Sequence, residues 1–301
     1  MSEIASSDER LNTAAVLHRF LELSETWLSG KADERGLAWF RGAMNDIAQG
    51  ADERALVTAI GLAPRRLGKA DLSLSSIELA EAQGMRPGLD LSDWSMDQLS
   101  RIALMAASHQ GDDAAFAARF DRFCTTAEIN ELIALCRGLP LYPSPRLFEP
   151  RAREAVRSGM KPVFEAVAHR NPYPHEIFDD NAWNHMVVKA LFIGSTLWPI
   201  QGLDERANPG LARMLVGLAQ ERWAAQRAVS VELWRCVAPH ADPEGVKVLA
   251  KAWNMDRDRD RLAIALALKG VARIDEDLPR REITDLQVRI SADGIDWCGL
   301  A

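Results

Sequence analysis

Helix-start chemistry recurs along this chain more densely than any other local signal. Ser6 and Glu9, Ser75 and Glu78, Ser95 and Gln98, and Thr125 and Glu128 all stand at the capping-box spacing. In that arrangement the first side chain accepts from an orphan amide of the first turn and the second reaches back to the cap amide. Asn208–Pro209 and Asp242–Pro243 add a second type of start. The first residue caps, and the proline takes the first helical position, where a missing N–H costs nothing. Phe116, Phe120 and Phe123, and Leu211, Leu215 and Leu218, recur at helical spacing.

Strand-like alternation is almost absent. Leu286, Val288 and Ile290 are the exception, and they predict one short strand or extended tail near the C-terminus. The fold class is therefore all-α, a dozen or more helices arranged as an irregular HEAT-like helical solenoid or a large helical bundle. The stretch 112–140 reads as a helix–turn–helix pair on which 90–111 could stack. With no repeat at fixed period, residues 1–301 are taken as one domain. The four prolines of 138–150 cannot continue a helix; the stretch is either a seam that separates two halves or a brace for a wall within the one domain.

The chain is 48% hydrophobic, enough for a substantial core. A net charge of −7 argues against dedicated nucleic-acid binding, which needs phosphate-neutralising cations. Cys124, Cys136, Cys236 and Cys298 form no CxxC pair, so they read as small apolar residues. The acidic, polar start lacks the form of a secretory signal. The apolar run from Met186 to Ile200 is interrupted by Lys189 and Pro199 and falls short of the ~20 residues a membrane-spanning helix needs. A cytoplasmic protein without a transmembrane segment is expected.

The segment 169–208 concentrates the candidate site. Pro172 and Pro174 make NPYP a rigid turn that aims Tyr173. Asp179 or Asp180 should cap a helix running to about Gly194, apolar almost all round and so a buried central helix. Lys189 buried on that helix must be paired, deprotonated or snorkelled. A buried ion pair, with Asp204 favoured over Glu205 and Asp179, is the first expectation, and a ligand-anchoring lysine the second. Asn184 either bridges helices or contacts a ligand. Asp204, Arg206 and Asn208 share a short turn, with Asn208 as a cap. Trp234 and Arg235 could form an apolar–cationic wall for an anionic amphiphile or ordinary helix contacts. DRDRDR, 256–261, reads as a solvated helix start. His169, His175 and His185 lack metal-ligand spacing, and no GxSxG, P-loop or GxGxxG occurs. No metal and no cofactor are expected.

APRRLGK (63–69), LPLYPSP (139–145), NPYP (171–174), WNHMVVKALFIG (183–194), GLDERAN (202–208) and ERWAAQR (221–227) occur in this order. Together they resemble the EboA family of metabolite-traffic proteins, from about Ala63 to Arg235. His185 stands where that family would have glutamine. The resemblance implies a bacterial protein of a small operon that makes or moves a metabolite, and brings no catalytic residues with it. The partners it implies are a small metabolite or pathway enzymes, among them a membrane prenyltransferase through which the protein would sit at the inner membrane. The first expectation is a noncatalytic metabolite-binding or scaffold protein. Its ligand-binding candidates are Asn171, Tyr173, Asn184, Lys189, Asp204, Arg206, Trp234 and Arg235. The alternatives are an enzyme of unrecognised chemistry using Tyr173, Asn184, Lys189 and Arg206, or a partner in which these residues only set helix packing.

Overall fold

The computed structural model describes residues 7–255, 258–271 and 275–301. Among them the chain is 71% helical, with 18 α-helices and no sheet. The only β pairing among these residues is a single bridge between Asp71 and Ser95. The chain divides into two compact units, Met1–Ile177 and Phe178–Ala301.

The first unit holds α1 (Ser7–Ser29), α2 (Glu34–Ala48), α3 (Glu53–Leu67), α4 (Ser76–Met85), α5 (Met96–Ala107), α6 (Asp113–Thr126) and α7 (Ile129–Arg137). Two short 3-10 turns, Leu139–Leu141 and Pro145–Phe148, lead into α8 (Glu149–Arg157), α9 (Lys161–Ala168) and α10 (Tyr173–Ile177). The second unit holds α11 (Asp180–Phe192), α12 (Leu203–Arg206), α13 (Pro209–Ala224), α14 (Leu233–Val237), α15 (Pro243–Asn254), α16 (Asp258–Ala267), α17 (Arg280–Asp293) and α18 (Trp297–Leu300).

Local chemistry sets most starts. Ser75 and Glu78 form a reciprocal box, the Ser75 N–H donating to Glu78 at 2.7 Å and the Glu78 N–H to Ser75 Oγ at 3.3 Å. Gln98 accepts from the Ser95 N–H at the start of α5. Asp179, Asn208 and Asp242 cap α11, α13 and α15 through the amides of Ala182, Leu211 and Gly245. Ser6 of the first expected box lies outside the described residues. The Thr125 box is displaced. Thr125 sits in the last turn of α6 with its hydroxyl donated to the Asp121 carbonyl, and α7 starts instead at a Glu128 cap closed by Glu131.

In the first unit α5 is the axis, with α1, α2, α3 and α7 packed on it; α7 carries α9, and α9 carries α8. All of α5 is buried except Gln98, which is half-buried. It nevertheless contains Asp97, Ser100 and Arg101. The Arg101 side chain is 3% exposed. Its Nε donates to the Ile60 carbonyl at 3.3 Å, and its other nitrogens stand 3.5 Å from Asp97 and 3.5 Å from Glu128. Pro64 lies inside α3 four residues after Ile60. Proline has no N–H, so the Ile60 carbonyl loses its helical partner. Arg101 supplies the missing donor.

The proline-rich stretch 138–150 lies inside the first unit and forms part of its core. Tyr142 and Phe148 from this stretch meet Phe116 and Phe120 of α6 with ring centroids 5.1–5.9 Å apart, at separations typical of favourable aromatic pairs. Gly138 permits this approach. A Cβ there would collide with the Tyr142 hydroxyl and stand 2.8 Å from Ile102 Cγ2.

In the second unit α13 packs against α11, α14 and α15, while α16 packs against α14, α15, α17 and α18. Two expectations are corrected here. The short strand near the C-terminus is instead α17. Its buried positions are Ile283 and Ile290, two helical turns apart, while Val288 is 66% exposed. The alternating residues lie on a helix whose core face has a different period. The second correction concerns α11, which is not buried all round. His185 is exposed, Lys189 is half-buried and Phe192 is 63% exposed. The helix buried on nearly every side is α5, where Asp97 and Arg101 pair at 3.5 Å.

Two stability measurements test this core. Arg101→Met should lower unfolding free energy by about 3–5 kcal/mol, since it leaves the buried Asp97 carboxylate without its guanidinium. Adding Asp97→Asn should restore part of the loss in urea titrations, and a single variant as stable as the parent would refute the arrangement. Gly138→Ala should cost about 1–3 kcal/mol through overpacking against Tyr142 and Ile102, read by the same titration. Its φ of −74° is open to any residue, so backbone strain does not enter.

Candidate functional site

The eight candidate residues divide between the units, Asn171 and Tyr173 in the first and the other six in the second. In the first unit Arg170 adopts a positive φ of 51° and turns the chain into Asn171. The buried Asn171 accepts from the Tyr173 N–H at 3.0 Å and so caps α10. Its amide also donates to the Ala166 carbonyl at 3.1 Å. The Tyr173 hydroxyl donates to the Pro145 carbonyl at 2.6 Å, and burial pushes its pKa upward. This bond joins the NPYP turn to the LPLYPSP stretch.

In the second unit Asn184 and Asn208 exchange amide hydrogen bonds, at 3.3 Å in one direction and 2.9 Å in the other. Asn208 also caps α13, so one side chain both starts a helix and bridges to α11. Asn184 thereby bridges α11 to the start of α13. Arg206 donates to the Phe178 carbonyl at 2.8 Å and to Asp180 at 2.9 Å, with its guanidinium 4.7 Å from the Trp183 ring centroid. Arg222 donates to the Leu191 carbonyl at the end of α11 at 3.0 Å.

Lys189 and Asp204 do not form the expected ion pair. Both oxygens of Asp204 accept from one edge of the Arg235 guanidinium, from Nε at 2.6 Å and Nη2 at 2.8 Å. The Lys189 ammonium lies 5.8 Å from the Phe192 ring centroid. A half-buried lysine can carry its ammonium to water along its own stem, so it needs no carboxylate. The apolar–cationic wall at Trp234 and Arg235 does not form either. Trp234 is fully buried and donates its indole N–H to Asp260 at 2.7 Å, while Arg235 is held by Asp204 and lies 5.5 Å from the Trp297 ring centroid.

Of DRDRDR, residues 256 and 257 lie outside the described residues, Asp258 and Arg259 are exposed at the start of α16, and Asp260 departs from the solvated reading as a buried acceptor. Its register with the buried Ala263 and Ile264 is a sequence signal for this. Glu232 is a buried carboxylate that no sequence feature singles out. One of its oxygens accepts from the Leu197 N–H at 2.9 Å and the Trp198 N–H at 2.7 Å. These partners lie more than thirty residues away in sequence, and no spacing announces them. Burial raises its pKa against the lowering effect of those two amides and of Arg235.

Cys124, Cys136 and Cys236 are buried, and burial pushes the thiols of Cys136 and Cys236 up to about 12. These thiols are poor nucleophiles. Among the described residues no cluster of three or more His, Cys, Asp or Glu could hold a metal, and no helix is long and apolar enough to cross a membrane.

These contacts define an all-α protein in which the distinctive polar residues tie one helix or turn to another. The chain belongs to the EboA family: the model of that family, described as metabolite traffic protein EboA, matches residues 20–238. The match runs from α1 to the end of α14 and leaves α15 to α18 outside it. No curated protein and no solved structure matches the chain.

Glu232 generates a pH prediction. A carboxyl whose folded pKa is raised contributes most to stability below its unfolded pKa, about 4.3, and loses that contribution as pH rises through the folded value. Glu232→Gln keeps the acceptor oxygen and removes the buried charge. Its melting temperature should exceed the parent's at about pH 8 and converge with it near pH 4. A variant less stable than the parent at about pH 8 would show that the charged hydrogen bonds outweigh desolvation.

Proposed function

We propose that this chain is a noncatalytic binding or scaffold protein in a metabolite-traffic pathway, acting on a small metabolite or on pathway enzymes. The family description supplies the pathway class. One observation supports the noncatalytic part. The polar groups that an enzyme would have used are engaged in internal contacts: Tyr173 with Pro145, Asn184 with Asn208, Arg206 with Asp180, and Arg235 with Asp204. General acid–base chemistry needs a titratable group within reach of substrate and with a pKa near the working pH. Tyr173 is buried, its proton is donated to a carbonyl, and its pKa is moved further from neutrality. A secondary-metabolite role, a direct ligand contact by Lys189, and attachment to the inner membrane through a partner belong to the same proposal.

Complementation of cells lacking the gene tests it. Tyr173→Phe removes the hydroxyl while keeping the ring, and should cost about 1 kcal/mol of stability. It should restore pathway output as well as the parent wherever the protein remains folded. Loss of output with an unchanged melting temperature would instead assign Tyr173 a chemical role and overturn the proposal.

A further inference from the structure

Helices α2 and α3 form an antiparallel pair. Their far ends touch at Gly36, where a Cβ would meet the Arg66 carbonyl at 2.6 Å. Between that contact and the connecting loop runs an open trough of about 410 Å³. Trp39, Ala43 and Ile47 line it from α2, and Ala55, Ala59 and Leu62 from α3. The alanines leave the space. The volume lies within the ~300–1,000 Å³ of small-molecule sites.

The lining positions follow the helical repeat, 39, 43 and 47 on one side and 55, 59 and 62 on the other. Residues three or four apart share a face. One turn further from the loop, the same faces carry Arg35 on α2 and Arg65 and Arg66 on α3. All three are exposed. None of them pairs with a carboxylate among the described residues, although many other arginines of the chain do. Asp33, the nearby carboxylate that caps α2, is occupied by the Gly36 N–H. The N-terminus of α2 and the C-terminus of α3 meet here with opposite dipoles, and Asp33 and Glu34 at the start of α2 leave three guanidiniums against two carboxylates at this end. The loop end has the opposite character. Asp46 and Asp52 line it together with Arg54, two carboxylates against one guanidinium.

We propose that this trough binds an anionic amphiphile. Its elongated apolar body would lie along Trp39, Ala43 and Leu62, and its carboxylate or phosphate head would sit at Arg35, Arg65 and Arg66. From Ile47 to Gly36 the helix rises ~16 Å, so the body is a chain or a fused ring system and not a compact polar metabolite. The proposal rests on the binding half of the function above and names its ligand class. Its residues are other than Tyr173, Asn184, Lys189 and Arg206.

Native mass spectrometry of the full chain with dodecyl phosphate, laurate, 1-dodecanol and dodecyltrimethylammonium, each below its micelle threshold, tests it. The expected result is one bound dodecyl phosphate or laurate per chain, with the ammonium amphiphile at least about tenfold weaker; the stronger of the two anions identifies the head. Ala55→Trp fills the trough from an exposed position and should weaken both anions by about tenfold or more. Arg65→Glu with Arg66→Glu should weaken the anions by a similar factor and leave dodecanol unchanged. Circular dichroism melts confirm that each variant is folded. Absence of saturable one-to-one binding, equal binding of all four probes, or anion binding that survives both sets of substitutions would overturn the proposal. The scaffold reading would then stand if Tyr173→Phe still complemented, so the two failures are distinguishable.

Discussion

A single buried guanidinium organises the first unit. Arg101 lies on a helix with almost no exposed surface, where a charge needs opposite charges close by. One partner exists because of a proline. Pro64 strips the Ile60 carbonyl of its helical N–H, and Arg101 donates to that carbonyl. Asp97 from its own helix and Glu128 at the start of α7 flank the remaining nitrogens. Three helices are thereby fixed by complementary defects: a missing donor on α3, surplus donors on α5, and a carboxylate at the cap of α7. An apolar side chain at 101 could fill the volume but would leave the Ile60 carbonyl buried without a donor.

The same logic runs through the residues that carry the family resemblance. Tyr173 reaches Pro145, Asn184 reaches Asn208, and Arg222 reaches the end of α11. Each bond joins two stretches that look like separate motifs in the sequence. Polar side chains serve here because many of their partners are backbone groups at turns and helix ends, where the regular ladder runs out. Such a side chain fixes the direction of the chain at a junction, which apolar packing does less sharply. The polar richness of 169–208 thus reflects the number of junctions it contains.

The all-α class is legible because capping is local chemistry. Ser75–Glu78, Asp179, Asn208 and Asp242 do in space what their spacing implies. Through-space pairing is not legible. Lys189 and Asp204 are fifteen residues apart in sequence, yet Asp204 belongs to Arg235, thirty-one residues further on. Burial of whole helices is misleading for a related reason. The apolar composition of α11 suggests a central helix, while α5, with Asp97, Ser100 and Arg101, holds that place. Residue polarity predicts burial only when partners are unknown; once they are supplied, the desolvation penalty is largely offset.

The trough on α2 and α3 inverts the usual relation between a helix pair and its seam. Large side chains interdigitate where two helices only need to stay together. Here alanines at 43, 55 and 59 hold the seam open beside Trp39 and Leu62, and close backbone contact is kept at Gly36. Stability favours filling that space, since each unburied apolar group forgoes about 25 cal/mol per Å². The arginines at its end form no salt bridge among the described residues, whereas Arg101, Arg206 and Arg235 have carboxylate partners. Packing alone accounts for neither the open seam nor the unmatched charge. A molecule with an apolar body and an anionic head would relieve both at once, which is why these two departures from good packing, one helical turn apart, are read together as one site.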